Sequence, residues 1–259
     1  KGTGLTPIAA RLPALLERGT RVVFAMNGIP WWFGDGFRVA LPDATRAMLD
    51  PGEALRRAVA PERIVGCAVY SGNAIERPGV VRNTTPARNR LVLGKPDGAP
   101  DATLDAFAAL AKKAGIDAVV TPRIREALWT KMQLIVACSA VTALARTPLD
   151  GVVADPALRA VVLAIFDETL RLGRALGFEL ADDAAERLDF YRDKPIKPSM
   201  LQDLEAGKPL EVDNGIRAFR DIARAVGVPV PTIDVVDALI GALARRVAAG
   251  DVPPSKEQA

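Results

Sequence analysis

The spacing of apolar residues divides this sequence into two regions of different periodicity. Up to about residue 122, short apolar runs and helix-spaced segments alternate with turns rich in Gly, Pro and Asn, as in an α/β fold. From there to about residue 249 apolar positions recur with helical spacing. The pattern predicts an α/β domain at 1–122, an all-α domain at 123–249 and a flexible polar tail at 250–259.

The individual elements follow from the same periodicity. In the first region we predict strands at 21–26, 64–70, 79–82, 90–93 and 118–120, and helices at 5–17, 51–59 and 101–114. In the second we predict helices at 124–145, 156–176, 181–191, 199–206, 209–226 and 232–248. The helix 124–145 is apolar on nearly every face, which is typical of a buried helix. Its uncharged run, 132–145, is too short to span a bilayer, so no membrane association is expected.

The amino-acid composition excludes several kinds of binding and catalysis. The chain has 49% hydrophobic residues and a net charge of +3, and its basic residues are scattered, which argues against nucleic-acid binding. It contains no histidine, which excludes a Ser-His-Asp triad, a histidine base and ordinary His-ligated zinc. Proton transfer must therefore use Lys, a carboxylate, Tyr, Cys or water. Two distant cysteines, Cys67 and Cys138, form neither a disulfide framework nor a metal site, and fit a reducing cytoplasm.

Lys131 is the only cation between Arg125 and Arg146, in the apolar helix 124–145. One interpretation is structural: the stem lies along the core and the ammonium reaches water. The other is chemical: burial lowers the pKa of an ammonium toward the range in which a general acid works near neutral pH. The spacing alone leaves both open.

Two further segments combine polar groups with loop signals. Residues 198–215 contain a hydroxyl, two amides and four carboxylates around Gly207. A helix starting at Pro209 would place Glu211 in its first turn, where the exposed N–H groups and the dipole favour a carboxylate. Asn27-Gly28 follows an apolar strand, at the end where α/β sheets form ligand crevices, although Asn-Gly is also an ordinary turn signal.

The string from Pro198 to Gly215 resembles the signature near the C-terminus of the ketopantoate reductases (2-dehydropantoate 2-reductases), which reduce a 2-keto acid with NADPH. Residues 129–132 resemble the place of that family's catalytic lysine, and residues 25–29 its Asn-Gly strand end. The resemblance covers almost the whole chain. It implies that 1–122 is the remainder of a Rossmann-like NADP-binding domain and that 123–249 is the helical substrate and catalytic domain.

The resemblance also implies a role for each candidate residue. Lys131 would donate the proton, and Glu211 would orient Lys131 or the ribose of NADP(H). Ser199 would bind the substrate carboxylate, Asn27 would lie between nicotinamide and substrate, and Lys1 would border the substrate. The implied partner is a small 2-keto acid. The apolar faces of the helical domain are compatible with a homodimer or with burial in the core.

Two departures from the family pattern matter. No G-x-G-x-x-G loop follows a strand into a helix, so we expect that the native protein is longer than this sequence and that the sequence alone binds NADPH poorly. Several positions where the family carries amides differ here: Ile135, Ser139, Leu149 and Ile196. A hydrogen bond to a charged group contributes about 1.5–3 kcal/mol. We therefore expect a bulkier or less polar 2-keto acid than ketopantoate.

The absence of these amides leaves a second, non-catalytic function open. A non-catalytic homologue that binds NADPH as a sensor or scaffold would not need the amides, but it would not need Lys131, Ser199 and Glu211 together either. The adjacent aromatics 31–33 also have two interpretations, as loop residues tucked under the second domain or as an apolar wall of the active site.

Overall fold

The computed structural model describes residues 4–85 and 87–252, which form two compact units. One contains the chain up to Asp35 together with Leu49–Leu128, and the other contains Gly36–Met48 and the chain from Trp129 onward. A mixed sheet with helices in the first unit and helices in the second confirm the predicted fold class. The domain limits drawn at residues 122 and 249 stay a prediction. Lys1 and most of the predicted tail, 253–259, lie outside the described residues.

The first unit is built on a four-stranded sheet in the order β1-β2-β5-β6. Its strands and those of a separate hairpin are β1 Val22–Ala25, β2 Ile64–Tyr70, β3 Asn73–Arg77, β4 Val80–Asn83, β5 Arg90–Gly94 and β6 Asp117–Val120. The pairs β1/β2 and β5/β6 are parallel, and β2/β5 is antiparallel. The hairpin strand β3 was not predicted.

Short helices accompany the sheet. They are α1 Leu5–Ala9, α3 Ala54–Ala58 and α4 Ala102–Lys113, whereas α2 Asp43–Leu49 lies almost entirely in the second unit. The helix predicted at 5–17 is wrong in extent: α1 ends at Ala9 and a 3₁₀ turn follows at Leu12–Leu15. Pro13 explains the break, since it has no N–H to continue the helical hydrogen bonds. The predicted helix 51–59 is likewise a 3₁₀ turn followed by α3, and α2 was not predicted.

A pair of glycines determines how one face of the sheet is covered. Gly66 and Gly94 are opposite each other on β2 and β5. A Cβ at Gly66 would lie 2.7 Å from atoms of Trp32 and Ile124, and one at Gly94 would lie 2.4 Å from the carbonyl oxygen of Thr121. The missing side chains let the loop after β1 fold back onto its own sheet.

The aromatic run 31–33 consequently belongs to the core of the first unit. Trp32 and Phe33 have no exposed surface, and Trp31 packs edge-on against Phe24 at 5.9 Å between centroids. The hypothesis that these rings form a wall open to a ligand is wrong, because Trp32 and Phe33 present no surface to one. Arg125 holds the same loop by donating to the carbonyl oxygens of Phe33 at 3.0 Å and Asp35 at 2.5 Å.

The second unit is helical. After α5 Ile124–Ala145, which enters it from the first unit, come α6 Leu149–Ala154, α7 Pro156–Ala175, α8 Ala184–Asp189, α9 Ser199–Glu205, a π-helical turn Asp213–Arg217, α10 Ala218–Val226 and α11 Pro231–Ala248. The predicted bounds of α5 are confirmed. Helix α6 was not predicted.

Helix α5 supplies the centre of this unit. Trp129 is fully buried, its Nε1 donates to the Thr169 carbonyl at 3.0 Å, and its ring lies 4.3 Å from that of Phe219. Among the described residues α5 is also the one helix long and apolar enough to cross a membrane, but 67% of its most apolar stretch is buried inside the protein. That burial is typical of a core helix, as predicted from its pattern.

A buried carboxylate joins two helices of the second unit. Glu168 on α7 is 3% exposed, and its two oxygens accept from the backbone N–H groups of Thr232 at 2.7 Å and Ile233 at 2.9 Å. These N–H groups belong to the first turn of α11 and have no partner within the helix. Glu168 therefore caps α11 from a neighbouring helix.

The glycine pair leads to a first prediction. Gly66→Ala should lower the free energy of unfolding by about 1–3 kcal/mol, because the added methyl overlaps Trp32 and Ile124. Urea denaturation followed by tryptophan fluorescence measures the loss. Gly4→Ala is the control, since a Cβ there meets nothing within 4 Å. Equal stability of the two variants would contradict the close packing on β2.

The cap leads to a second prediction. Glu168→Ala should cost about 1–3 kcal/mol of stability by leaving two N–H groups without an acceptor in a buried site. The neighbouring Asp167 is exposed and pairs only with Arg171 on its own helix, so Asp167→Ala should cost less than about 0.5 kcal/mol. Thermal unfolding of both variants tests the difference, and a comparable loss in Asp167→Ala would rule out the specific capping role.

Candidate active site

Lys131 lies in the second unit, near the middle of α5, and is half-buried. Its neighbours Trp129, Met132 and Gln133 are buried, so the helix is fixed on both sides of it. The carbonyl oxygen of Thr130, the preceding residue, accepts from Arg187 Nη2 at 2.5 Å. The backbone that carries the ammonium is therefore held by packing and by a charged donor from α8.

The thiol of Cys138, on the same helix, is a poor candidate for the chemistry. Cys138, two turns after Lys131, is 2% exposed, and burial raises the pKa of its thiol to about 12 although the charge of Arg187 acts in the opposite direction. The thiol stays protonated at neutral pH and cannot serve as a thiolate nucleophile. Both cysteines are buried thiols.

Ser199 is the first residue of α9 and is exposed. The chain before it is held in place, because Lys197 Nζ contacts both carboxylate oxygens of Glu205 at 2.9 and 3.0 Å. Gln202 Nε2 also donates to the Lys197 carbonyl at 2.7 Å. The hydroxyl of Ser199 thus lies at the surface of an anchored turn, where it can donate to a ligand.

Glu211 is half-buried, with its Oε1 atom buried, in the segment that joins α9 to the π-helical turn. The prediction that a helix opens at Pro209 with Glu211 in its first turn is wrong, since helical structure begins at Asp213. The turn starts late because the Val212 carbonyl accepts from the N–H of Arg217, five residues on, at 3.3 Å. Helix capping consequently does not account for Glu211.

Asn27 follows β1 in the first unit, and its side chain is exposed. The backbone turns at Gly28, whose φ of 100° is a conformation that favours glycine. Because β1 and β2 are parallel, Asn27 stands at the carboxyl end of the strands, the edge at which open α/β sheets bind ligands. Lys1, the remaining predicted site residue, lies outside the described residues.

The positions that lack the family's amides fall into two places in the second unit. Ile135, half-buried, and Ser139, 7% exposed, follow Lys131 on α5 at helical spacing. Leu149 and Ile196 are neighbours, since the Leu149 N–H donates to the Ile196 carbonyl at 3.0 Å. The second pairing joins the start of α6 to the segment before Ser199 and could not be seen in the sequence.

The described residues fit part of a dinucleotide. They contain no glycine loop between a strand and a helix that could hold a pyrophosphate, and no group of three metal-ligating side chains. The exposed amide of Asn27 has the donor and acceptor that a nicotinamide carboxamide requires. The fit is therefore to the nicotinamide end of the cofactor.

The two arginines that contact the backbone or the turn next to Lys131 and Glu211 were not predicted from the sequence. Arg187 and Arg217 stand on helical segments rich in charge, where a sequence pattern indicates only a solvated face. Their roles depend on contacts with Thr130 and Asp237, which are distant in the chain. No signal in the sequence identifies such contacts.

Comparison with known proteins supports one family. The family model described as the C-terminal domain of ketopantoate reductase PanE/ApbA matches residues 123–244. A 2-dehydropantoate 2-reductase of Mesorhizobium japonicum is 34% identical, over 94% of this chain and 74% of its own length. The crystal structure of a putative ketopantoate reductase from Ralstonia solanacearum MolK2 aligns with a TM-score of 0.84 at 31% identity, over 96% of this chain and 75% of that one.

A more distant structure shares the fold alone. D-mandelate dehydrogenase, solved in complex with NADH, aligns with a TM-score of 0.80 at 17% identity, over 95% of this chain and 77% of that chain. The same fold thus extends beyond the reductases that resemble this sequence. With a third of its positions identical to the M. japonicum reductase over most of both chains, this chain belongs to the ketopantoate reductase family of oxidoreductases.

Proposed function

We propose that the protein reduces a 2-keto acid to the 2-hydroxy acid with NADPH. The observation that carries this proposal is Lys131, a half-buried cation whose neighbours on α5 are buried, within the part of the chain that matches the family model. Glu211 and Ser199 belong to the same helical unit, and capping does not explain Glu211. The family membership supplies the reaction type.

The cofactor in this proposal is NADP(H). When bound, the reduced nicotinamide supplies a hydride to the carbonyl carbon of the keto acid. Asn27 would hold the nicotinamide and the substrate through its amide, and Glu211 would accept a hydrogen bond from the ribose or from Lys131. The preference for NADP over NAD is part of the proposal and rests on the family alone.

Lys131 is the proposed general acid. Its ammonium would donate a proton to the carbonyl oxygen as negative charge develops there, a role that typically contributes about 10²–10⁴-fold to the rate. Ser199 would donate its hydroxyl to the substrate carboxylate. An acid on a rigid buried helix is held in position before the substrate arrives, which is the condition for efficient transfer.

The proposed substrate is a bulkier or less polar 2-keto acid than ketopantoate. Ile135 lies one helical turn after Lys131, and Ile196 is 43% exposed near Ser199. Aliphatic groups at these positions cannot hydrogen-bond a hydroxylated substrate, but they can contact an apolar side chain. Pantothenate biosynthesis is accordingly one assignment among several for this reductase.

We also propose that the protein is cytoplasmic, because its two buried thiols are typical of a reducing compartment. The homodimer stays a prediction: on α11, Val235 and Leu239 are 60% and 54% exposed, whereas Ile240 is buried. The exposed pair is available for a second copy, and the buried residue belongs to the core.

Lys131→Ala tests the proton donor. Measured on the full gene product with NADPH and a panel of 2-keto acids, kcat should fall about 10²–10⁴-fold through loss of the acid. An added primary amine such as methylamine should restore part of the rate. Lys112→Ala, at the exposed end of α4, is the matched control and should keep the wild-type kcat.

Three results would count against this assignment. A near-normal kcat in Lys131→Ala would show that another group donates the proton. Restoration that is equal with methylamine and with a quaternary ammonium salt would indicate a salt effect, because only the primary amine can donate a proton. Tight NADPH binding by calorimetry with no turnover on any keto acid would favour the sensor or scaffold function.

Ser199→Ala tests substrate binding. Loss of one hydrogen bond to the substrate carboxylate should raise KM for the keto acid about 10- to 100-fold and change kcat much less. Lys112→Ala, at the exposed end of α4, is again the control and should keep the wild-type KM. An unchanged KM in Ser199→Ala would show that Ser199 does not bind the substrate.

A further inference from the structure

The π-helical turn Asp213–Arg217 begins two residues after Glu211, and Arg217 holds it at both ends. The backbone N–H of Arg217 donates to the Val212 carbonyl at 3.3 Å, and the guanidinium donates to Asp213 Oδ1 at 2.5 Å. Val212 itself is 4% exposed. The first bond is made by the backbone and does not depend on the arginine, whereas the second links the arginine side chain to the start of the turn, two residues after Glu211.

The side chain of Arg217 is in turn fixed against α11. Its Nε lies 3.5 Å from Asp237 Oδ1, and the side chain of Asp237 is 3% exposed and also pairs with Arg220 through its other oxygen. Asp237 Oδ1 has no hydrogen-bond partner among the described residues, so the charge of Arg217 is the nearest one that offsets it on this side. The absence of a side chain at Gly241 leaves room for it, since a Cβ there would lie 2.9 Å from Arg217 Nη2.

The conformation of the segment between α9 and the π-helical turn is determined by these two elements at its ends. Residues 206–212 are non-helical, and Gly207 has a φ of 64°. Its first end is the anchored helix α9, and its second end is the turn that Arg217 closes. The direction of the Glu211 carboxylate is therefore sensitive to any movement of Arg217.

We infer that Arg217 is a positioning residue for Glu211, acting through the π-helical turn and its contact with Asp237. This inference rests on the proposed function of Glu211 in the reductase site. Arg217 would touch neither substrate nor cofactor. Because misplacement of a catalytic group by about 1 Å costs up to about 10²-fold in rate, the expected effect is on kcat.

A double-mutant cycle on kcat tests the inference with the full gene product. Arg217→Met should lower kcat about 10- to 100-fold, with KM for the keto acid within about twofold. In a Glu211→Gln background the same change should cause no further fall, because the group that it positions is already lost. Additive effects of the two changes would overturn the inference.

Matched variants separate positioning from general damage. Arg224 on α10 pairs with Asp234 on α11 in an exposed ion pair, so Arg224→Met should leave kcat unchanged. If Arg217→Met fails to fold, Arg217→Lys keeps a positive charge but cannot reproduce the Nε contact with Asp237 and the Nη1 contact with Asp213 together. It should lower kcat severalfold, and the wild-type kcat in this variant would contradict the inference.

Hydrogen–deuterium exchange distinguishes this inference from the proposed function. Arg217→Met should speed amide exchange in residues 206–216, and Arg224→Met should not. If the wild-type protein turns over no keto acid, the proposed function fails, and the exchange result still decides whether Arg217 orders the segment. Turnover by the wild type with additive kcat effects and unchanged exchange would overturn the inference alone.

Discussion

The burial of α5 is the constraint on which the two units and the candidate site depend. At its start, Ile124 lies over the glycine pair of the sheet, and Arg125 holds the loop that carries the buried aromatics. Further along, Trp129 packs at the centre of the helical unit. A helix buried for most of its length tolerates few charges, and the half-buried ammonium of Lys131 fits both a side chain whose end reaches water and the proposed general acid.

The segment from Pro198 to Gly215 carries two further candidate residues, Ser199 and Glu211, and helix capping does not explain the position of Glu211. Ser199 opens a short anchored helix, and Glu211 precedes a π-helical turn instead of lying inside the first turn of a helix. Insertions of this kind in helices are frequent at functional sites because they redirect the backbone. Here the redirection is maintained by ion pairs between Arg217, Asp213 and Asp237.

The elements that could be predicted from the sequence are those with a strong local pattern. Helix α5 and strand β2 have the predicted bounds, since each is a long apolar run ended by clear turn or charge signals. Tertiary contacts determine the rest. The aromatic run is buried because two glycines face each other in the register of β2 and β5. The helix after Glu211 begins with a π-type bond from Arg217 to Val212, which no local pattern indicates.

In the candidate site, too, some features could be predicted from the sequence and others depend on tertiary contacts. Resemblance to a family indicated which residues to consider, and the structure changed the physical reading of Glu211 and grouped Leu149 with Ile196. The supporting arginines could not be predicted, because each acts through a partner far away in the chain. The identity of the substrate likewise depends on surface next to Ser199 and Lys131 that no local motif describes.

Transfer of an isotope tests the central claim most directly. If the full gene product reduces a 2-keto acid with NADPH deuterated at the transferring position of nicotinamide C4, the 2-hydroxy acid should carry one deuterium on carbon 2. Mass spectrometry and proton NMR of the product measure this. The account predicts deuterium at that carbon in the wild-type reaction and about 10²–10⁴-fold less labelled product per unit time with Lys131→Ala. A hydroxy acid without deuterium on carbon 2, or labelling that is as fast without the lysine, would contradict it.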